Sequence, residues 1–159
     1  METTKTRLGS ISMTKIEKAV DSFKGGLSCS QAILSTFSAE FGLNAELALK
    51  ISCPFGGGMG RTGQACGAVT GALMVIGLKF GQKQVSELQA KENTYKLVQS
   101  FITKFKSLHQ NINCNDLIGF ELHTPNGYEQ ATQARVFIDK CPIYVRSAAQ
   151  ILEEILSIN

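Results

Sequence analysis

The sequence is poor in the features that mark several common classes of protein. It has no tryptophan, only three prolines and two histidines, and its formal net charge at pH 7 is only +3. Its lysines and arginines are scattered along the chain instead of clustered with aromatic residues, so we expect no nucleic-acid partner. A chain of 159 residues can bury a core without disulfide bonds, and its composition predicts one globular domain.

Long hydrophobic segments are also missing. The longest nearly uninterrupted apolar run covers residues 65–78, which is shorter than the roughly 20 residues that span a bilayer. It therefore predicts a buried helix and not a membrane-spanning one. The first residues have no apolar core of the kind that a secretory signal requires. We expect a cytoplasmic protein, with a flexible N-terminal tail at residues 1–12 and a single helical domain at residues 13–159.

Several cofactor and catalytic motifs are absent. No Cys-x-x-Cys pair occurs, which argues against a small local zinc finger, and no Cys-x-x-Cys-His motif occurs, so we expect no covalent haem. No Ser-His-Asp or paired-carboxylate arrangement can be recognised. His109 and His123 are predicted to be surface or loop residues, with a role as ligand or proton carrier as the less favoured alternative.

Helical periodicity is what the sequence has in abundance, and no segment has a convincing strand pattern. We predict an all-α, single-domain bundle of six to eight helices around a central, buried helix rich in glycine and alanine. Most of the predicted helices are bounded by capping residues, proline or glycine; Ser28 is the predicted start of a capping box, and Asn44, Thr124 and Cys141 are further predicted N-caps. The predicted helices cover about residues 13–23, 29–41, 45–52, 63–80, 85–108, 114–118, 125–137 and 142–155.

The central helix carries a face of small residues. Thr62 is predicted to cap it, and Gly63, Gly67 and Gly71 then follow at intervals of four. Such a face allows another backbone to approach closely. We expect close packing against a helix of the same chain, and the alternative is a docking face for a homodimer or a membrane transporter partner.

A glycine-rich loop precedes this helix. Residues 58–63, Gly-Met-Gly-Arg-Thr-Gly, match the dinucleotide fingerprint G-x-G-x-x-G. That fingerprint requires a preceding strand, whereas the residues before it predict a helix, so we expect no nucleotide. We predict instead that the glycines make turns with positive φ, and that Gly57 and Gly58 aim backbone N–H groups at sulfur or a small anion. Arg61 either supplies positive charge there or faces solvent.

Four of the five cysteines fall at or near predicted helix starts. They are Cys29, Cys66, Cys114 and Cys141, whereas Cys53 lies at a helix end. A helix N-terminus has unpaired N–H groups and a partial positive charge, which stabilise an anion such as a thiolate. Cysteines in this position can have pKa values as low as about 3.5 to 7.5. The four are therefore candidate nucleophiles and metal ligands.

The sequence leaves the chemistry of these cysteines open. Four converging thiolates would repel one another unless a cation, a cluster or disulfide formation relieved the charge, and four thiolates suit zinc or an iron–sulfur cluster. The intervals between them are 37, 48 and 27 residues, so only the tertiary fold can assemble a site. The alternative for each cysteine is a small apolar core residue, which is the interpretation we favour for Cys53.

The chain resembles the redox-active family that is named for its C-GCAxxG-C-C cysteine pattern. The resemblance covers about residues 23–156, and the four cysteines at helix starts match the family's signature, which leaves out Cys53. It implies a helical protein with a redox or metal-linked role, and a similar domain in certain cytochromes implies a two-iron, two-sulfur cluster. The segments that carry the resemblance are CSQA at residues 29–32, FGGGMGR at 55–61, CGAVTGAL at 66–73, Cys114 and Cys141.

Two hypotheses follow from these observations. In the first, the protein is a redox protein whose four-cysteine site binds an iron–sulfur cluster, such as 2Fe-2S, or zinc when loaded, and forms disulfides when empty. It would then be a thiol–disulfide or electron-transfer oxidoreductase with a redox partner that is not identified. In the second, the protein is a non-catalytic helical interaction module with structural cysteines.

Overall fold

The structure is a computed structural model that describes residues 12–158, and the predicted tail at residues 1–12 lies almost wholly outside this range. Eight helices of five or more residues occur in the described part of the chain. The all-α prediction is confirmed. The helices are α1 (Lys15–Lys24), α2 (Cys29–Phe37), α3 (Ala45–Ser52), α4 (Gly67–Phe80), α5 (Leu88–His109), α6 (Cys114–Ile118), α7 (Pro125–Gln133) and α8 (Cys141–Leu156).

Side-chain caps begin four of the helices. Ser28 forms a capping box with Gln31 at the start of α2, and Asn44 and Thr124 cap α3 and α7, as predicted. Thr14 forms a second capping box, at the start of α1. Each cap pairs one of the first backbone N–H groups of its helix, which the helix itself leaves without an acceptor. The local sequence therefore determines where α2 begins, and Cys29 becomes its first residue.

The central helix of the prediction is α4. Its residues from Gly67 to Ala72 are all buried, and it packs against α2, α5 and α8. A Cβ at Gly71 would lie 2.9 Å from the carbonyl oxygen of Ser30, so this glycine is what allows α2 to approach so closely. Gly67 meets the same segment of α2.

The glycine face is therefore filled by the chain itself. The alternative prediction, that this face docks a homodimer or a transporter partner, is wrong, because α2 occupies it. Association through another surface stays a prediction. No helix within residues 12–158 has the length and hydropathy needed to cross a membrane.

Four helix starts differ from the prediction. Helix α1 begins at Lys15, after its N-cap Thr14, and not at residue 13. The central helix begins at Gly67 and not near Gly63, with Cys66 in the N-cap position in place of Thr62. The long helix α5 begins at Leu88, and the predicted first residue Val85 is 87% exposed in the turn before it. Helix α8 begins at Cys141 itself, so this residue follows the N-cap instead of forming it.

The glycine loop explains the late start of α4. Residues 57–61 are five consecutive residues with φ between 64° and 66°, which is a left-handed turn. Glycine adopts this region freely, whereas each of the two other residues, Met59 and Arg61, is strained by about 1–2 kcal/mol. Thr62 does not cap a helix, because its hydroxyl donates to the carbonyl oxygens of Gly58 and Met59. The loop thus reverses the chain before α4 begins.

Candidate functional site

The four cysteines predicted to form a site line one cavity of about 610 Å³. They reach it from the starts of α2, α4, α6 and α8. Cys66 belongs to the main hydrophobic core, Cys114 and Cys141 belong to a smaller apolar cluster, and Cys29 packs against both. The cavity therefore lies where the two apolar clusters meet.

A short backbone bridge places Cys66 beside the segment that carries Cys114. The N–H of Cys66 donates to the carbonyl oxygen of Ile112 at 2.7 Å, and the N–H of Cys114 donates to that of Gln64 at the same distance. Ala65 and Asn113 form the single β-bridge that the described residues contain. These two hydrogen bonds bring together two helix starts that are far apart in the sequence.

The start of α4 stabilises the thiolate form of Cys66. Its pKa is lowered, first by a hydrogen bond from the Cys29 thiol and then by the backbone N–H groups of Ala68 and Val69, while burial opposes the shift. Cys66 occupies the N-cap position of α4, and the partial positive charge of a helix N-terminus favours a thiolate. Among the cysteines that line the cavity, Cys66 is therefore the one whose surroundings favour the thiolate form.

Cys29 has the opposite tendency. Its pKa is raised well above the ordinary value because its thiol proton is held by hydrogen bonding to Cys141 and Cys66, and burial adds to the effect. The Cys29 thiol can thus donate to either neighbouring sulfur atom. These opposite shifts favour Cys29 over Cys66 as the residue that keeps its proton.

Cys114 is also a weak acid. Burial raises its pKa to about 12, and the negative charge that Cys66 and Cys141 would carry when ionised adds to the shift. Only about one Cys114 thiol in 10⁵ is then ionised at pH 7. At neutral pH this residue is a protonated thiol in the wall of the cavity.

Tyr144 is a residue of this site that the sequence analysis missed. It lines the cavity, and its hydroxyl donates to the carbonyl oxygen of Leu117 at 2.6 Å. Its pKa is raised, first by burial and then by the charges of Cys141, Cys66 and Cys114. Its position three residues after Cys141 on one helix face would have indicated this proximity. Tyr128, which also lines the cavity, had no comparable signal in the sequence.

Cys53 lies in the wall of the same cavity but is exposed. The interpretation of Cys53 as a buried core residue is therefore wrong. It follows the last residue of α3, where the polypeptide turns at the surface.

The two histidines do not line this cavity. His109 ends α5, packs against Phe105 and Tyr144, and has its pKa lowered by burial. His123 is an exposed residue whose Nδ1 lies 3.2 Å from Glu121.

Gly57 and Gly58 have different surroundings. Gly57 lines the cavity, whereas Gly58 is buried beneath it, where a Cβ would lie 2.7 Å from the Cβ of Cys114. Both have positive φ, as predicted for this loop. The use of their N–H groups as donors to sulfur or an anion stays a prediction.

The donor atoms of the cavity have the chemistry that zinc and iron–sulfur clusters require, since both prefer thiolates. Their arrangement is not that of a formed metal site. Within residues 12–158, no group of three or more cysteine, histidine, aspartate or glutamate side chains is arranged to hold a metal ion. The geometry as it stands is that of interacting free thiols.

Comparison with protein families identifies the chain. The family described as "Putative redox-active protein (C_GCAxxG_C_C)" matches residues 27–155. The chain belongs to this family. No curated protein and no solved structure matches the chain.

The C_GCAxxG_C_C match includes every cysteine that lines the cavity, which confirms the resemblance noted from the sequence. Around Cys66 this chain reads Cys66-Gly67-Ala68, with Gly71 three residues further on. The structure gives a reason for glycine at position 67. A Cβ there would lie 2.9 Å from the backbone nitrogen of Ser30.

We expect Cys66 to be the first cavity cysteine to react as pH is raised from about 6 to 9. Because the pKa of Cys66 is lowered, its thiolate fraction rises at a lower pH than that of an ordinary thiol. Cys66 is therefore reactive above its pKa and loses its reactivity below it. Cys114 should stay unmodified over the same range. The measurement is pulsed alkylation with iodoacetamide and peptide mass spectrometry, made on a Cys53→Ser variant to remove the exposed thiol. Earlier labelling of Cys29 than of Cys66 would contradict this assignment.

Proposed function

We propose that this redox-family protein is a thiol–disulfide oxidoreductase whose reaction begins at the Cys66 thiolate. The observation that carries the proposal is that Cys66, in the N-cap position of α4, and Cys29, at the start of α2, line one cavity in which the pKa of Cys66 is lowered and that of Cys29 is raised. The thiolate is the nucleophilic form of cysteine. The Cys29 thiol beside it is a proton donor and a second sulfur nucleophile in one residue.

The proposed reaction consists of two exchanges. The Cys66 thiolate attacks one sulfur of a substrate disulfide, so that a mixed disulfide forms and the substrate's other sulfur leaves as a thiolate, which takes the Cys29 proton. The Cys29 thiolate then attacks Cys66, which forms the Cys29–Cys66 disulfide and releases the second substrate thiolate. Two electrons pass from the protein to the substrate. Reversal of these steps oxidises a dithiol substrate.

The neighbouring cysteines fit supporting roles in this scheme. Cys141 is a hydrogen-bond partner of Cys29, so it is the third thiol that can exchange with the new disulfide. Cys114 reacts slowly because its pKa is about 12. A pool of working free thiols requires a reducing compartment, and we therefore propose a cytoplasmic location.

Redox titration tests the proposal. The Cys53→Ser variant, freed of metal by a chelator, is equilibrated anaerobically with glutathione buffers of increasing oxidation, trapped with N-ethylmaleimide and digested for mass spectrometry. We expect one disulfide, between Cys29 and Cys66, to replace two labelled thiols. Four thiols that stay reduced across the whole series would rule the proposal out.

The second candidate function is binding of zinc or a 2Fe-2S cluster by Cys29, Cys66, Cys114 and Cys141. It is supported by the convergence of four thiols on one cavity and is opposed by their arrangement. Analysis of the Cys53→Ser protein before the chelator is added distinguishes the metal site from the thiol–disulfide function. Stoichiometric zinc, or iron with a visible sulfide-to-iron absorption band, together with thiols that form no disulfide, would favour the metal site.

A further inference from the structure

Arg61 is held at the wall of the cysteine cavity by its backbone and by two neighbours. Its φ is +65°, which a residue with a side chain adopts only at a cost. Its Cγ lies against Gly57, where a Cβ would be only 2.9 Å away. The absence of a side chain at residue 57 is therefore what leaves room for the stem of Arg61.

Tyr128 holds the other end of this side chain. The Arg61 guanidinium lies 4.1 Å from the centre of the Tyr128 ring, and Nη2 donates to the Tyr128 hydroxyl at 3.1 Å. A ring face and a neutral hydroxyl orient a guanidinium but do not neutralise it. In the part of the chain that the structure describes, no carboxylate lies within 4.0 Å of Arg61. Its positive charge is thus positioned and available.

A second groove, of about 440 Å³, continues from the cysteine cavity past this residue. Arg61 and Tyr128 line both spaces, as do Gly60 and Leu122. The other residues that line the groove are Thr62, His123, Thr124 and Pro125. Arg61 therefore lies where the groove and the cysteine cavity adjoin.

We propose that the groove beside Arg61 binds the carboxylate end of a small anionic disulfide, so that the disulfide itself lies in the cysteine cavity. The proposal rests on the thiol–disulfide function above and adds its substrate class. A cavity of about 610 Å³ has the size of a small-molecule site, and a guanidinium is the side chain best suited to a carboxylate. A peptide-sized acidic disulfide such as oxidised glutathione has a disulfide bond and carboxylates in one molecule.

The test compares three small disulfides of different charge as oxidants of the reduced, metal-free Cys53→Ser protein. They are oxidised glutathione, which is anionic, 2-hydroxyethyl disulfide, which is neutral, and cystamine, which is cationic. We expect Arg61→Gln to slow the reaction with oxidised glutathione about tenfold, the loss expected for one charge-assisted hydrogen bond at a partly solvated site. The rate with the neutral disulfide should change less than about twofold, and that with cystamine should rise.

Arg135→Gln is the matched control. Arg135 is also an exposed arginine with positive φ, at +58°, and it pairs with Asp139 away from both spaces. Its replacement changes the net charge equally and should leave all three rates unchanged. The proposed subsite would be overturned if Arg61→Gln slowed the reaction with all three disulfides equally. It would also be overturned if Arg135→Gln slowed the reaction with oxidised glutathione as much as Arg61→Gln does. Failure of the unsubstituted protein to react even with the neutral disulfide would instead refute the thiol–disulfide function itself.

Discussion

In the Cys53→Ser variant, replacing Cys66 with serine should slow the reduction of a small disulfide by at least about a hundredfold at pH 7, measured as the rate of thiol release under anaerobic conditions. A serine hydroxyl is not ionised at this pH, so the nucleophile is lost. The thiols of Cys29 and Cys114 cannot replace it, because the pKa of each is raised. Serine differs from cysteine by one atom, so the fold and the cavity should be retained.

Two further variants make this prediction specific. Cys53→Ser removes an exposed thiol that lines the same cavity, and it should leave the rate almost unchanged. Cys29→Ser should keep the first exchange but stop the second, so that the mixed disulfide at Cys66 accumulates and can be detected by mass spectrometry. If Cys66→Ser reacts as fast as the unsubstituted protein, the nucleophile is another residue and the assignment is wrong.

Replacing Gly67 with leucine should destabilise the fold by about 3 kcal/mol or more, measured by urea denaturation followed by circular dichroism. Even a Cβ at this position would lie 2.9 Å from the Ser30 nitrogen, 3.1 Å from the Phe55 carbonyl oxygen and 3.2 Å from the Cβ of Cys29. Two of these atoms are backbone, so α2 must move away from α4. Overpacking of a core costs typically about 1–3 kcal/mol, and a larger side chain here has no space to occupy.

The same substitution should also separate Cys29 from Cys66, because it moves the first residue of α2. We therefore expect the lowered pKa of Cys66 to rise toward its ordinary value in whatever folded protein remains, since the hydrogen bond from Cys29 is its main cause. The pH profile of alkylation reports this change.

Gly77→Leu is the matched control within α4. Gly77 is exposed, and no atom lies within 4 Å of the position of its Cβ. Leucine should be neutral or stabilising here by up to about 1 kcal/mol, because glycine is a poor helix former. A Gly67→Leu protein that is as stable as the Gly77→Leu protein would show that the approach of α2 to α4 does not require glycine at position 67.

Much of the fold could be predicted because its signals are local. The caps at Ser28, Asn44 and Thr124 each act within one helical turn, and the sequence alone located them. The predictions were wrong where the conformation depends on contacts distant in the sequence. Thr62 directly precedes the predicted central helix, which suggested that it caps this helix. In the left-handed loop, however, its hydroxyl donates to the carbonyl oxygens of Gly58 and Met59.

The candidate site divides in the same way. The sequence indicated Cys29, Cys66, Cys114 and Cys141 as a set, because each lies at a helix start. The sequence could not indicate that Tyr128 belongs to the site or that a groove lies beside Arg61, because Arg61 and Tyr128 are 67 positions apart in the chain. Only packing brings them together.

The sequence by itself determined the all-α class, the helix starts that carry cysteine and the small residues that let α2 and α4 approach. These properties follow from capping, hydrophobic periodicity and side-chain size, which act over a few residues. Only the tertiary structure decided which thiol is acidic. That depends on the packing that brings the thiol of Cys29 beside Cys66 and on the helix start at which Cys66 lies. Hydrogen bonds act over about 3 Å, and no pattern in the sequence specifies a distance that short between residues 37 positions apart.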